Sequence, residues 1–158
     1  MNHHHTIAIG ADHRGVEAAQ AIARSLEDAG DTVTLLATCE PGESCDYPDQ
    51  AWKVGQAIAS GEAQFGILVC GSAIGMSIAA NKIPGCRAAV VHDELTAHLS
   101  RSHNDANVLC LSGDLLGHRL MQQIVRVWLD TPFEGGRHAR RVDKIMAIER
   151  GEAPAATA

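Results

Sequence analysis

Aromatic side chains are scarce: two Phe, two Trp and one Tyr make up 3% of the chain. With few rings and abundant Ala, Val, Ile and Leu, the core is predicted to be built of aliphatic layers, as in an α/β domain. An excess of positive charge is missing as well. Thirteen Lys and Arg stand against nineteen Asp and Glu, a formal −6, which argues against a general nucleic-acid binder that depends on clustered cations. No apolar run approaches the roughly 20 residues needed to cross a bilayer. The opening MNHHHTIAIGAD also lacks the apolar stretch of a signal peptide. The expectation is a soluble cytoplasmic protein with no membrane partner. Five cysteines, an odd number with no CxxC spacing, predict reduced thiols and neither a disulfide framework nor a cysteine metal site. Cys39 and Cys45 fall in a loop, and Cys86 and Cys110 in apolar runs where they read as small buried hydrophobes.

What is present reads as one domain. A chain of 158 residues buries roughly 70% of its unfolded surface, and strand and helix patterns alternate along it. TIAIGAD is a short buried strand, followed by RGVEAAQAIARSLEDAG with apolar residues at helical spacing, closing on Gly30. TVTLLA, FGILVC, CRAAVV and NVLCLSG supply four more strands. The helices between and after them are Pro48 to Ser60, GMSIAANK, DELTAHLSRSH from near Asp93, HRLMQQIVRVWLD, and a last one from near Arg137. The prediction is a single-domain, Rossmann-like three-layer α/β sandwich, with a five-stranded parallel sheet flanked by helices over residues 6–150. Residues 1–5, with His3, His4 and His5 set aside as tag or tail, and residues 152–158 are expected to be flexible.

Ligands in such sheets bind beyond the carboxyl ends of the strands, which directs attention to ADHRG, CGSAIG, HDE and SGD. Asp12 and His13 read equally as a polar turn capping the next helix. CGSAIG offers backbone N–H groups at a helix start, suited to a negatively charged oxygen. It lacks both the GK[ST] ending of a nucleotide loop and the GxGxxG pattern, so ATP binding is not expected. Cys70, at the lip of this turn, gains thiolate character from the helix end, although that contribution is only about 0.3–1 kcal/mol. His103, beside Asn104 and Asp105, is either an acid–base group or part of a capping turn. His92, His98 and His118 show no ligand spacing. Arg137 and Arg141 lie four apart on one helical face, a fork suited to a phosphate dianion in an otherwise acidic chain.

The ordered segments GADHRG, YPD, CGSAIGMSIAANKIPGCRAA, SRSHNDANVL and FEGGRHARRV resemble the RpiB/LacAB sugar-phosphate isomerase family, in particular its ribose-5-phosphate isomerase B type. The likeness runs over about residues 6 to 150. It implies interconversion of ribose 5-phosphate and ribulose 5-phosphate by proton transfer between C2 and C1 through an enediolate. Cys70 matches the base, with Ser72 and the amides of Gly71, Ala73, Ile74 and Gly75 holding the oxyanion. His103 matches the ring-opening residue, assisted by Asp12, with Asn104 beside it. Tyr47 matches a pocket residue near the ring, Arg137 and Arg141 match phosphate ligands, and His13 matches a position near the phosphate. The resemblance also implies a homodimer or homotetramer with active sites shared between subunits, and neither cofactor nor metal. From the sequence no carboxylate–histidine cluster for a metal-assisted hydride shift can be assembled.

Two positions depart from the family pattern. Ser72 and Ala73 stand in a loop that many relatives write CGTGIG or CGTGVG, so a methyl is added where the backbone must come close. Asp114 stands where several relatives have an arginine, and a carboxylate there repels a dianion unless it faces elsewhere. The alternatives are an isomerase of another sugar phosphate, such as allose 6-phosphate, galactose 6-phosphate or a tetrulose phosphate, and a non-catalytic phosphosugar-binding regulator. A binder needs neither Cys70 nor His103.

Overall fold

The computed structural model describes residues 4–40 and 42–156. The chain runs β1 (Thr6–Ala11), α1 (Val16–Asp28), β2 (Thr32–Ala37), α2 (Tyr47–Ala59), β3 (Phe65–Cys70), α3 (Ile74–Ala80), β4 (Ala88–Val90), α4 (Glu94–Asn104), β5 (Val108–Ser112), α5 (His118–Asp130) and α6 (Arg137–Glu149). The five strands form one sheet in the order β2-β1-β3-β5-β4, and every pairing is parallel. This is the predicted architecture.

Strand periodicity sorts the core into two layers. Ile7, Ile9, Ala11, Ile67, Val69, Leu109 and Leu111 face α1, α4 and α5, whose Ile22, Ala97, Ile124 and Trp128 complete that cluster. The alternate positions Ala8, Leu68, Cys70, Val108 and Cys110 face α2 and α3, meeting Val54 and Met76. Because Cys70 ends β3 on this second face, its sulfur is directed under the start of α3. Helix α6 packs on α4 through a stripe that includes buried His138 and Val142.

Differences from the sequence reading have local causes. Helix α1 is capped at Ala29, and Gly30 follows in the left-handed region at φ 98°, the usual place for a terminating glycine. Strand β4 is shorter than CRAAVV because Cys86 leaves the ladder to lie buried, its thiol donating to the Gly55 carbonyl at 3.6 Å. Cys39 and Cys45, expected as free thiols, are joined in a disulfide with Cα atoms 5.6 Å apart, a separation within the usual range. The turn between them, in which Glu43 N–H donates to the Glu40 carbonyl at 3.0 Å, brings the two residues back together. His5 is not loose: its N–H donates to Asp31 Oδ1 at 2.9 Å and its ring meets Phe65 edge-on at 5.2 Å. Residues 152–156 carry no helix or strand. The flexibility expected of 1–3 and 157–158 falls outside the described residues.

Candidate active site

Three strand ends are laced together around Cys70. Asp12 N–H donates to the Val69 carbonyl at 3.2 Å, Gly113 N–H to the Cys70 carbonyl at 2.8 Å and Asp114 N–H to the Gly71 carbonyl at 3.2 Å. Such closeness depends on Gly15, where a Cβ would stand 2.2 Å from the Val69 carbonyl oxygen. The turn after β1 is held by Asp12, which is buried and whose Oδ1 accepts from Arg14 N–H at 2.9 Å. His13 lies exposed beside it.

The CGSAIG segment folds tightly over the thiol. Ala73 N–H donates to Cys70 Sγ at 3.2 Å, while Ile74 N–H reaches Ser72 Oγ at 3.4 Å. The Ala73 amide therefore serves the sulfur directly. Ala73 is fully buried at φ 68°, ψ −19°, a left-handed conformation that costs a non-glycine residue about 1 kcal/mol or more. Gly75 leaves room for Tyr47, whose Cε2 lies 2.4 Å from where a Cβ would be, so the first residue of α2 is pressed against the loop.

The helix-end effect expected for Cys70 is outweighed. Burial pushes its thiol pKa above the ordinary value, and Asp12 adds to the rise, while the amides of Ala73, Met76 and Ser72 pull in the other direction. Helix α3 has only seven residues, and desolvation of the charged form dominates. Cys86 is likewise pushed up, to about 11, as expected of a buried structural thiol.

His103, Asn104, Arg137 and Arg141 lie elsewhere. Val108 pairs with Gly66 and Ser112 with Cys70, so β5 spans about 13 Å from its amino to its carboxyl end. His103 precedes the amino end, where Asn107 bonds to Arg87, and Cys70 lies at the carboxyl end. Within one chain the proposed base and the proposed ring opener thus occupy opposite ends of the sheet. The turn before α6 is tied to this amino end by Glu134 N–H donating to the Ser102 carbonyl at 3.0 Å. Arg137 and Arg141 are exposed there.

Residues that sequence reading missed complete this second cluster. The His138 ring stacks on His103, with centroids 4.0 Å apart and planes within 7°. Arg137 Nε donates to His138 Nε2 at 3.3 Å, and Glu134 lies 3.6 Å from the same nitrogen. Burial, with His103 and Arg137 nearby, lowers the His138 pKa, and the Arg137 donor makes Nε2 the accepting nitrogen. The ligand atoms of His103, Glu134 and His138 fall within 4.8 Å of one another, a carboxylate–histidine group that the sequence did not reveal. Parallel stacked rings direct their in-plane lone pairs side by side rather than toward one point, and Arg137 already uses His138 Nε2. Hydrogen bonding suits this arrangement better than a shared ion. The one available signal was nearness along the chain: Glu134 and His138 are four residues apart.

Asp114 does not face the site as a free carboxylate. Arg14 Nε donates to its Oδ1 and Oδ2 at 2.8 and 2.9 Å, and Arg14 Nη2 meets Oδ1 at 2.7 Å. Among the described residues no helix is long and apolar enough to cross a membrane.

Comparison with known proteins agrees with this architecture. The family described as Ribose/Galactose Isomerase matches residues 7–145. Ribose-5-phosphate isomerase B of Escherichia coli is 44% identical over 144 residues, covering 91% of this chain and 96% of its own. The solved ribose-5-phosphate isomerase B of Clostridium thermocellum superimposes with a TM-score of 0.87 at 47% identity, covering 92% of this chain and 97% of that one. That of Mycoplasma genitalium, solved with bound ribulose-5-phosphate, does so with a TM-score of 0.83 at 38% identity over 91% and 95% of the two chains. With matches spanning nearly its whole length, the chain belongs to the RpiB/LacAB family of ribose/galactose isomerases.

Proposed function

We propose that the protein is an aldose–ketose isomerase that interconverts ribose 5-phosphate and ribulose 5-phosphate, with Cys70 as the base. The observation that carries this reading is the placement of Cys70 Sγ beneath the Ala73 amide at 3.2 Å, with Asp12 buried beside the same strand end. In the open-chain aldose, the thiolate takes the proton from C2. The electron pair moves to the carbonyl oxygen at C1, giving an enediolate whose oxygen is held by the Ser72 hydroxyl and the amides of Gly71 and Gly75. The C2 hydroxyl proton passes to the C1 oxygen, the sulfur returns its proton to C1, and the carbonyl is left at C2. Ile74 and Tyr47 frame the loop, and His13 approaches the phosphate end. The thiol pays for its buried position in ionisation, at about 1.4 kcal/mol per unit of pKa, so part of the substrate's binding energy must go into forming the thiolate.

The remaining groups come from a second copy. Placement of His103, Asn104, Arg137 and Arg141 at the amino end of the sheet supports a homodimer, alone or paired into a homotetramer, whose sites each combine the Cys70 end of one subunit with the His103 end of the other. Exposed Ile145 and Ile148 border a groove of about 580 Å³ between the segment after α3, β4, α4 and α6, an apolar surface of the kind subunits cover. In that composite site His103, stacked on His138, opens the furanose ring with Asp12, and Arg137 and Arg141 clamp the phosphate. A soluble cytoplasmic location fits a substrate of this class.

The test is a panel of five- and six-carbon sugar phosphates, with erythrulose 4-phosphate added, scored for aldose–ketose interconversion in either direction with and without EDTA. Preferential turnover of ribose 5-phosphate, abolished in Cys70→Ala, is expected. Undiminished turnover by that variant, or no turnover of any sugar phosphate, refutes the assignment.

A further inference from the structure

We propose that Arg14 is a further substrate-recognition residue: Asp114 holds its guanidinium so that the free edge meets the phosphate of the sugar bound at Cys70. The inference rests on the reading of Cys70 as the base, and it concerns a residue that the motif comparison leaves without a role.

The pair is built into the strand ends rather than scattered on the surface. Arg14 Cδ and Nε lie 3.1 and 3.3 Å from where a Cβ on Gly71 would stand, and Asp114 Oδ2 lies at 3.0 Å from the same point. A Cβ on Gly113 would sit 2.7 Å from the Arg14 carbonyl oxygen. Glycine at both positions lets the arginine and its partner lie flat over the residue next to the base.

Asp114 occupies Nε and one side of Nη2. A guanidinium has five N–H donors, so both hydrogens of Nη1 and the outer one of Nη2 remain, on a side chain 55% exposed. The pair is formally neutral, so recognition comes from directed donors rather than long-range attraction. A planar fork of this kind matches phosphate oxygens. This resolves the substitution at position 114, because the carboxylate supplies no repulsion to a dianion and instead fixes a cation beside it.

The test compares wild type with Arg14→Ala, Arg14→Lys and Asp114→Ala. Steady-state kinetics on ribose 5-phosphate are read alongside calorimetric titration with inorganic phosphate and thermal melting. Arg14→Ala should raise KM by about tenfold, leave kcat within about twofold and weaken phosphate binding in proportion. Arg14→Lys, which keeps the charge and loses the fork, should melt like wild type and retain most of the defect. Asp114→Ala should show a smaller rise in KM. Unchanged KM and phosphate affinity in Arg14→Ala overturn the proposal. So does a loss confined to kcat with phosphate affinity intact, since Arg14 would then act at the reacting carbons. If wild type does not isomerise ribose 5-phosphate, the isomerase reading fails, and the phosphate titration still decides the role of Arg14.

Discussion

At Cys70 two opposing effects meet in a single atom: burial holds the proton on and loop amides favour its loss, with burial the larger. The direction fixes a pH dependence. A base whose pKa lies above the ordinary thiol value is mostly protonated at neutral pH, and its active fraction grows about tenfold per pH unit below that pKa. Between pH 7 and 9, above the phosphate pKa near 6, kcat/KM should therefore climb without levelling. A plateau by pH 7.5 would show that the sulfur ionises far more readily than its surroundings imply. Iodoacetamide should inactivate the protein with the same rising pH dependence, and phosphosugar should protect. His103 carries a separate expectation: His103→Ala should slow furanose substrates at least about tenfold more than open-chain erythrose 4-phosphate. Equal losses on both would remove it from ring opening. For Arg137→Ala, loss of a charge-assisted contact should raise KM by about tenfold or more; an unchanged KM places that arginine outside the site.

Elements were legible where side-chain period alone decides them. HRLMQQIVRVWLD occupies α5 from His118 to Asp130 to the residue, because its apolar stripe faces one layer and nothing else competes. The edge strand β4 was overestimated, since the tertiary fit of Cys86 under Gly55 has no signature in a six-residue apolar run. The same limit applies to the site. Cys70, Asp12 and the loop amides follow from local order, a strand end followed by a turn. Stacking of His103 on His138 joins two helices distant in sequence, and a one-dimensional pattern carries no distance between them. The Cys39–Cys45 pair was recoverable from the intervening EPGES turn, but an odd cysteine count pointed the other way. Packing of strand ends yields a stability prediction. Gly15→Ala would drive a methyl into the Val69 carbonyl, 2.2 Å away. Overpacking at that point should cost about 2 kcal/mol and lower Tm by about 4–8 °C, measured by calorimetry. A change below 1 °C would mean that the turn after β1 yields freely.

For the whole molecule, the separation of Cys70 from His103 along β5 makes the proposed pair testable by mixing. Cys70→Ala and His103→Ala, each inactive on furanose substrate, should recover about a quarter of wild-type activity when subunits are exchanged in equal amounts, since half the pairs are mixed and each holds one intact site. No recovery after verified exchange would place both groups in one subunit's site. Concentration itself then becomes a chemical variable. Above the dissociation constant of the pair, velocity is proportional to the amount of chain; well below it, velocity follows the square of that amount. A dilution series carried into that regime would turn an ordinary rate assay into a measurement of how strongly two chains hold each other.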